Sequence, residues 1–173
     1  MTDYLERELR SNHAGETGAV FIYKGIAAIA KIRKDMELLT LAKEHGATEA
    51  EHLTLIESVL ANKLQSRLIV LWRIAGWLIG ALPALAGRNA VYATIAAVET
   101  FVEKHYQSQI DYLQKDGANN VLLKLLMRCQ ADEIAHQNEA RVMITSPLSL
   151  ALRIWCSVVQ FGSSSAVTVA RRF

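Results

Sequence analysis

The chain has 173 residues, of which 51% are hydrophobic, and a formal net charge of +2 at pH 7. That length suits one domain with a sizeable core, and the small charge excludes the broad basic surface of a nucleic-acid binder. Two cysteines, Cys129 and Cys156, without CxxC spacing argue against a disulfide framework, fit a reducing cytoplasm and read as buried apolar residues rather than ligands.

Two prolines and nine glycines leave few breaks. The apolar period is helical nearly everywhere, so the chain is read as all-α. The N-terminal stretch MTDYLERELRSNHAGE is charged and has no apolar h-region, so no signal peptide is expected. A first helix is expected from about Asp3 to Ile32 and a second from about Lys34 to Leu64, with Gly46 inside it. The apolar segment 67–87 follows. A further helix is expected from Arg88 to about Gln114, stopping at KDGANN with Gly117 as the stop signal. The next runs from about Asn119 to Ile144. At 145–147 the sequence TSP breaks the pattern, and Thr145 or Ser146 is expected to cap a last apolar helix from about Pro147 to Ala170. The whole chain, 1–173, is read as one domain, with 67–87 as an insertion and 147–173 as a C-terminal helix.

Chemistry concentrates in a few places. Glu16 sits in LRSNHAGETGAVFIYKG, among small and apolar residues, where a lone carboxylate is costly to bury. Two stretches explain it: EAEH, with Glu49 and His52, and EIAH, with Glu133 and His136. Glu-x-x-His on a helix puts both side chains on one face, as needed to grip one ion. Glu49 lies 33 residues beyond Glu16, and Glu133 lies 34 beyond Glu99. The chain therefore carries one unit twice: a helix with a single Glu, a turn, then a helix with Glu-x-x-His. Tyr23 and Tyr106 each lie seven residues, two helical turns, after Glu16 and Glu99. One Glu from each of two helices and Glu-x-x-His from each of two others is the di-iron or di-manganese carboxylate set of a four-helix bundle. The plainer readings are that Glu49 and His52 belong to an exposed polar helix, and that His45 faces solvent. Asp132, Glu103 and Glu139 read as surface groups or outer supports of the site, and Glu51 and Glu57 as exposed. His13 is either a core histidine or a hydrogen-bond partner of a ligand carboxylate.

The segment from Leu68 to Ala86 holds one charge, Arg73, and its length is close to the ~20 residues that span a bilayer. Pro83, Gly76, Gly80 and Gly87 argue against one smooth helix, so a hairpin-like or in-plane element dipping into one leaflet is expected. Trp72 and Trp77 suit the headgroup region, and Lys63, Arg67 and Arg88 suit anionic lipid. The last helix, with Trp155 and Phe161, would extend that surface. A membrane-facing mouth would admit a lipid-soluble substrate.

The motifs NHAGETGAVFIYKG, EAEHL, AAVETFVEKHYQSQ and DEIAHQNEA, with WLIGALPALAG just before the helix expected from Arg88, together resemble the demethoxyubiquinone hydroxylases of ubiquinone biosynthesis over about residues 8–145. The resemblance implies a ferritin-like four-helix bundle with added hydrophobic, membrane-contacting helices. It implies a di-iron monooxygenase, peripheral on the cytoplasmic face of the inner (cell) membrane. Glu16, Glu49, His52, Glu99, Glu133 and His136 would hold two iron ions, with O2 as co-substrate and a lipid-soluble demethoxyubiquinol hydroxylated on its ring. His105 and Tyr106, in KHYQSQ, match a pair the family links to electron delivery from reduced nicotinamide, NADH. Ile26 stands where many members have Gln, a departure that leaves the ligand set intact and falls on the local pocket. A homo-oligomer or a quinone-biosynthesis complex is compatible with this reading. The same six residues would serve a ferritin-like iron oxidase or storage protein, against which the apolar 67–87 segment argues. A lipid-binding scaffold with a degenerate site is the other alternative.

Overall fold

The computed structural model describes residues 2–117 and 119–173. Of the turn expected at KDGANN, Ala118 and the side chain of Asp116 lie outside the described residues. Among the described residues the elements are α1 (Asp3–Arg33), α2 (Met36–Val59), a short 3-10 turn (Asn62–Leu64), α3 (Ile69–Ala86), α4 (Arg88–Asp116), α5 (Asn120–Val142) and α6 (Leu150–Ala170), with no strand. The all-α expectation holds.

Local chemistry sets the ends. Thr2 caps α1 by accepting from Leu5 N–H, and Asp35 caps α2 by accepting from Leu38 N–H. Lys34 turns the chain between them in the left-handed region, φ 58°. Gly117 ends α4 at φ 65°, as expected of a glycine stop. Two expectations shift. The second helix ends at Val59 rather than Leu64, and a 3-10 turn takes up the difference. The cap of α6 is Ser149, which accepts from Leu152 N–H at 3.3 Å, rather than Thr145 or Ser146. Pro147 lies between the expected caps and the helix start, and a residue before proline is pushed away from helical geometry.

α1 and α2 form one helical hairpin and α4 and α5 a second; the two face each other through α2–α5 and α1–α4 contacts. Apolar layers fill the bundle on both sides of its middle. Tyr23, Ile26, Leu38 and Ile95 belong to one, and Leu9, Ile56, Leu122 and Leu126 to the other. Burying side chains such as Ile56 and Leu126 completely stabilises the fold by roughly 1.5–3 kcal/mol each. Ile26 lies in the first of these layers and does not line the cavity described below.

α3 lies along α1, and α6 lies on α4 and α1. The 67–87 segment is one continuous helix from Ile69 to Ala86, which corrects the hairpin expectation. Its glycines are contact points rather than breaks. A methyl group at Gly76 would strike the Gly18 carbonyl oxygen, and one at Gly80 the Ile22 carbonyl oxygen. Pro83 falls near the C-terminal end of the helix, where it removes one bond from the ladder without ending it.

Candidate metal centre

The middle of the bundle holds four carboxylates and two imidazoles, none more than 7% exposed. The exposed-helix reading of Glu49 and His52 fails outright: their exposures are 0% and 1%. α1 supplies Glu16, α2 Glu49 and His52, α4 Glu99, α5 Glu133 and His136. Their donor atoms fall into two groups, each lying within 4.8 Å: Glu16, Glu49, His52 and Glu133 in one, Glu49, Glu99, Glu133 and His136 in the other. Glu49 and Glu133 belong to both. The arrangement could hold two adjacent ions with those two carboxylates shared.

Five of the six residues carry donor atoms without a partner of their own. Glu16 Oε2, both oxygens of Glu49, His52 Nδ1, Glu133 Oε2 and His136 Nδ1 are sealed from solvent and make no hydrogen bond. His52 Nδ1 sits 3.2 Å from Glu133 Oε1, and His136 Nδ1 sits 3.1 Å from Glu49 Oε1. Unpartnered buried polar atoms on this scale are costly. A pair of divalent cations would satisfy all of them, and four carboxylates offset four positive charges. The oxygen-rich set with two imidazoles suits iron or manganese.

The charge pattern tells the same story. Burial, together with Glu133 and Glu49, pushes the Glu16 carboxyl well above its ordinary range. Burial and the same two neighbours push Glu99 up as well. Glu133 is raised by burial and by Glu49. Burial also opposes ionisation of Glu49, but His136 and His52 outweigh it and hold its carboxyl at about 2. His52 and His136 are raised despite burial, by the carboxylates against them. Without cations the cluster keeps protons that cations would displace.

The ligand side chains are oriented from outside. The tyrosines expected beside their own glutamates reach across the bundle instead. The Tyr23 hydroxyl donates to Glu99 Oε1 at 3.3 Å, and the Tyr106 hydroxyl donates to Glu16 Oε1. Each repeat thereby anchors the other's glutamate. His52 Nε2 lies 3.1 Å from Asp132 Oδ2, which fixes Nε2 as the protonated nitrogen and leaves the Nδ1 lone pair for an ion. His45, expected in solvent, is buried: Nδ1 is 3.3 Å from the Tyr23 hydroxyl, Nε2 is 3.0 Å from Glu139 Oε2, and the ring stacks on His136 at 3.9 Å. Its spacing contained the signal, since it lies seven residues before His52 and four before Glu49, on the ligand face. His13 points elsewhere, accepting from Ser66 N–H at 3.3 Å and approaching Glu57 at 3.4 Å. Glu103 accepts from Gln137 at 3.2 Å.

A cavity of about 420 Å³ adjoins the centre. Glu16, Glu99 and Glu133 form part of its wall, with Tyr106 and His105. The rest is largely apolar or small, drawn from α1, α3, α4 and α6, including Trp72, Ile79, Val102 and Ala166. Tyr106 and His105 therefore share the cavity but differ in their contacts: Tyr106 holds Glu16, while His105 Nε2 lies 3.1 Å from Ser11 Oγ.

Outside the cavity, α3 is long and apolar enough to cross a membrane by length and composition, yet only 33% of it is buried. Val70, Ile74, Leu78, Leu82 and Leu85 are exposed, as are Leu150, Ile154, Val158 and Phe161 on α6. Of the residues expected at a lipid surface, Trp77 is exposed, whereas Trp72 is buried and donates to Ser66 Oγ at 2.7 Å. Trp155 is half-buried and donates to Thr94 Oγ1 at 2.9 Å. Arg88 is engaged with Asp35, at 2.8 Å, and Glu37.

The family profile described as "Ubiquinone biosynthesis protein COQ7" matches residues 3–170. The chain belongs to this family. Among its curated relatives is "NADPH-dependent 3-demethoxyubiquinone 3-hydroxylase, mitochondrial" of Dictyostelium discoideum, 29% identical over 97% of this chain and 77% of the relative. "3-demethoxyubiquinol 3-hydroxylase" of Legionella pneumophila is 34% identical over 76% of this chain and 61% of the relative. The protein of the same name from Rhodospirillum rubrum is 33% identical over 65% of this chain and 53% of the relative.

Proposed function

We propose that this chain is a di-iron monooxygenase that hydroxylates the ring of a demethoxyubiquinol, using O2. The observation that carries the reading is the buried six-residue cluster, five members of which carry unpartnered donor atoms, beside a largely apolar cavity. Family membership and the relatives' names support the substrate class. Glu16 and His52 would hold one iron, Glu99 and His136 the other, and Glu49 and Glu133 would be shared. Two irons there would supply the oxygen activation that the protein's own side chains lack.

The remaining work belongs to the chain. Tyr106 and Tyr23 hold Glu16 and Glu99 in place by donating to one oxygen of each. Asp132 holds the His52 ring. The apolar wall excludes water, which limits side reactions and strengthens the electrostatics of the centre. Reduced nicotinamide is the proposed electron source, a class named for the Dictyostelium relative. The whole chain would act as one ferritin-like domain, peripheral on the cytoplasmic face of the inner membrane. The exposed apolar faces of α3 and α6 would rest on lipid, and Lys63, Arg67 and Arg73 nearby would favour anionic headgroups. A lipid-soluble quinol would then pass into the cavity without crossing water.

The test is iron-loaded protein with a short-tail demethoxyubiquinol under 18O2. One 18O in the product ring is expected, lost in Glu133→Ala. Unlabelled or unchanged quinol with about two irons bound would overturn the assignment.

A further inference from the structure

Most of the chain's nine glycines have a reason in the fold. Gly87 and Gly117 take positive φ. At Gly25, Gly76 and Gly80 an added methyl group would strike the backbone of a neighbouring helix, and at Gly46 it would press on Tyr23 Cβ at 3.1 Å. Gly18 receives the close approach of Gly76. Gly15 and Gly162 have no such reason. They lie inside α1 and α6, outside the positive-φ region, where glycine is less stable than alanine. A methyl group on either would meet nothing within 4 Å. Both are exposed, although Ala14 and Glu16 on either side of Gly15 are buried. Both line the cavity beside the metal centre.

Stability alone therefore favours alanine at these two positions, and what the missing side chains provide is room. Ser11, Gly15, Gly18 and Ala19 share one face of α1 and line the cavity, so this helix offers it little beyond backbone. Gly162 does the same from α6. Glu16 follows Gly15 directly, is 3% exposed, and lines the same cavity with its Oε2 unpartnered. Close approach of a backbone to a ligand is one use of glycine. A flat ring laid on bare backbone comes nearer to Glu16 than one held off by a Cβ.

We propose that Gly15 and Gly162 are specificity-determining residues: the room left by their missing side chains admits the substituted ring of the quinone substrate beside Glu16, flat against the α1 backbone. The inference rests on the ring-hydroxylase reading above and adds to it the residues that set how bulky a ring is accepted.

The experiment uses the full chain loaded with zinc, so that no turnover occurs. It is titrated by calorimetry with a short-tail demethoxyubiquinone and with a short-tail benzoquinone that carries a methyl but no methoxy group. The wild type is expected to bind both. Gly15→Ala and Gly162→Ala should each raise Tm by roughly 2–4 °C, yet weaken binding of the methoxy ring roughly tenfold and of the smaller ring by less. Gly15→Leu should abolish binding of both rings while zinc per chain stays at the wild-type level. A Tm that does not rise in the alanine variants would show that the glycines serve packing, and would overturn the inference. So would equal losses for the two rings, or alanine variants that bind the methoxy ring as the wild type does; each leaves the ring-hydroxylase reading standing. Failure of the wild type to bind either quinone would overturn that reading, and the inference with it.

Discussion

Replacing Glu16 with glutamine should make the metal-free protein more stable, although it removes one of the proposed ligands. The Glu16 carboxyl is fully enclosed, and burial with Glu133 and Glu49 pushes it well above the ordinary glutamate value of 4.5. The folded chain therefore holds a proton that the unfolded chain releases at neutral pH. The ceiling on that cost is the free energy of protonating an ordinary glutamate at pH 7, roughly 3 kcal/mol at 1.36 kcal/mol per pH unit. Glutamine is neutral and keeps an oxygen to accept from Tyr106, so Glu16→Gln should recover about 2–3 kcal/mol, or about 4–12 °C in Tm for a chain of this size. The sign with pH follows from linkage. A folded-state value above the unfolded one contributes stability that is complete below the unfolded value and is lost as pH rises. The advantage of the variant should thus be large at pH 7 and vanish near pH 4.5. The assay is thermal unfolding followed by circular dichroism on chelator-stripped protein at pH 5, 6 and 7, repeated with Mn(II) or Fe(II). The wild type should gain more from metal than the variant. A metal-free variant that melts below the wild type at pH 7 would refute the reasoning.

The sharing of Glu49 and Glu133 between the two donor groups predicts unequal effects on loading. Glu49→Ala or Glu133→Ala should take iron well below one per chain, while Glu99→Ala should keep about one, as read by elemental mass spectrometry after anaerobic loading. Gly80→Ala should destabilise the chain by roughly 1–3 kcal/mol despite alanine's better helix propensity, because its methyl group meets the Ile22 carbonyl oxygen; an unchanged Tm would refute the close α1–α3 contact. Ile74→Asp with Phe161→Asp should weaken binding to anionic vesicles at least tenfold with little change in Tm, because both side chains are exposed. Equal vesicle sedimentation of variant and wild type would refute lipid contact by these faces.

The helices and the six-residue candidate set were legible in the chain because both depend on short-range spacing. Glu-x-x-His places two side chains on one helical face wherever the helix lies, and repeating the unit 33 or 34 residues apart requires two such faces. The apolar period marked the helices, and Gly117 marked a stop, from chemistry within a few residues of each position. What spacing cannot carry is which face of one helix meets which face of another. Tyr23 and Tyr106 were placed on the faces of Glu16 and Glu99, yet each reaches across the bundle to the other repeat's glutamate. His45 looked solvent-exposed because its neighbours in KEHGATE are polar, but the approach of α5 buries it against His136 and Glu139. The glycines of the apolar segment looked like breaks, and only the α1 backbone lying against them makes them close contacts within one helix. In each case the deciding partner lies on another helix, at a distance along the chain that local propensity does not sense.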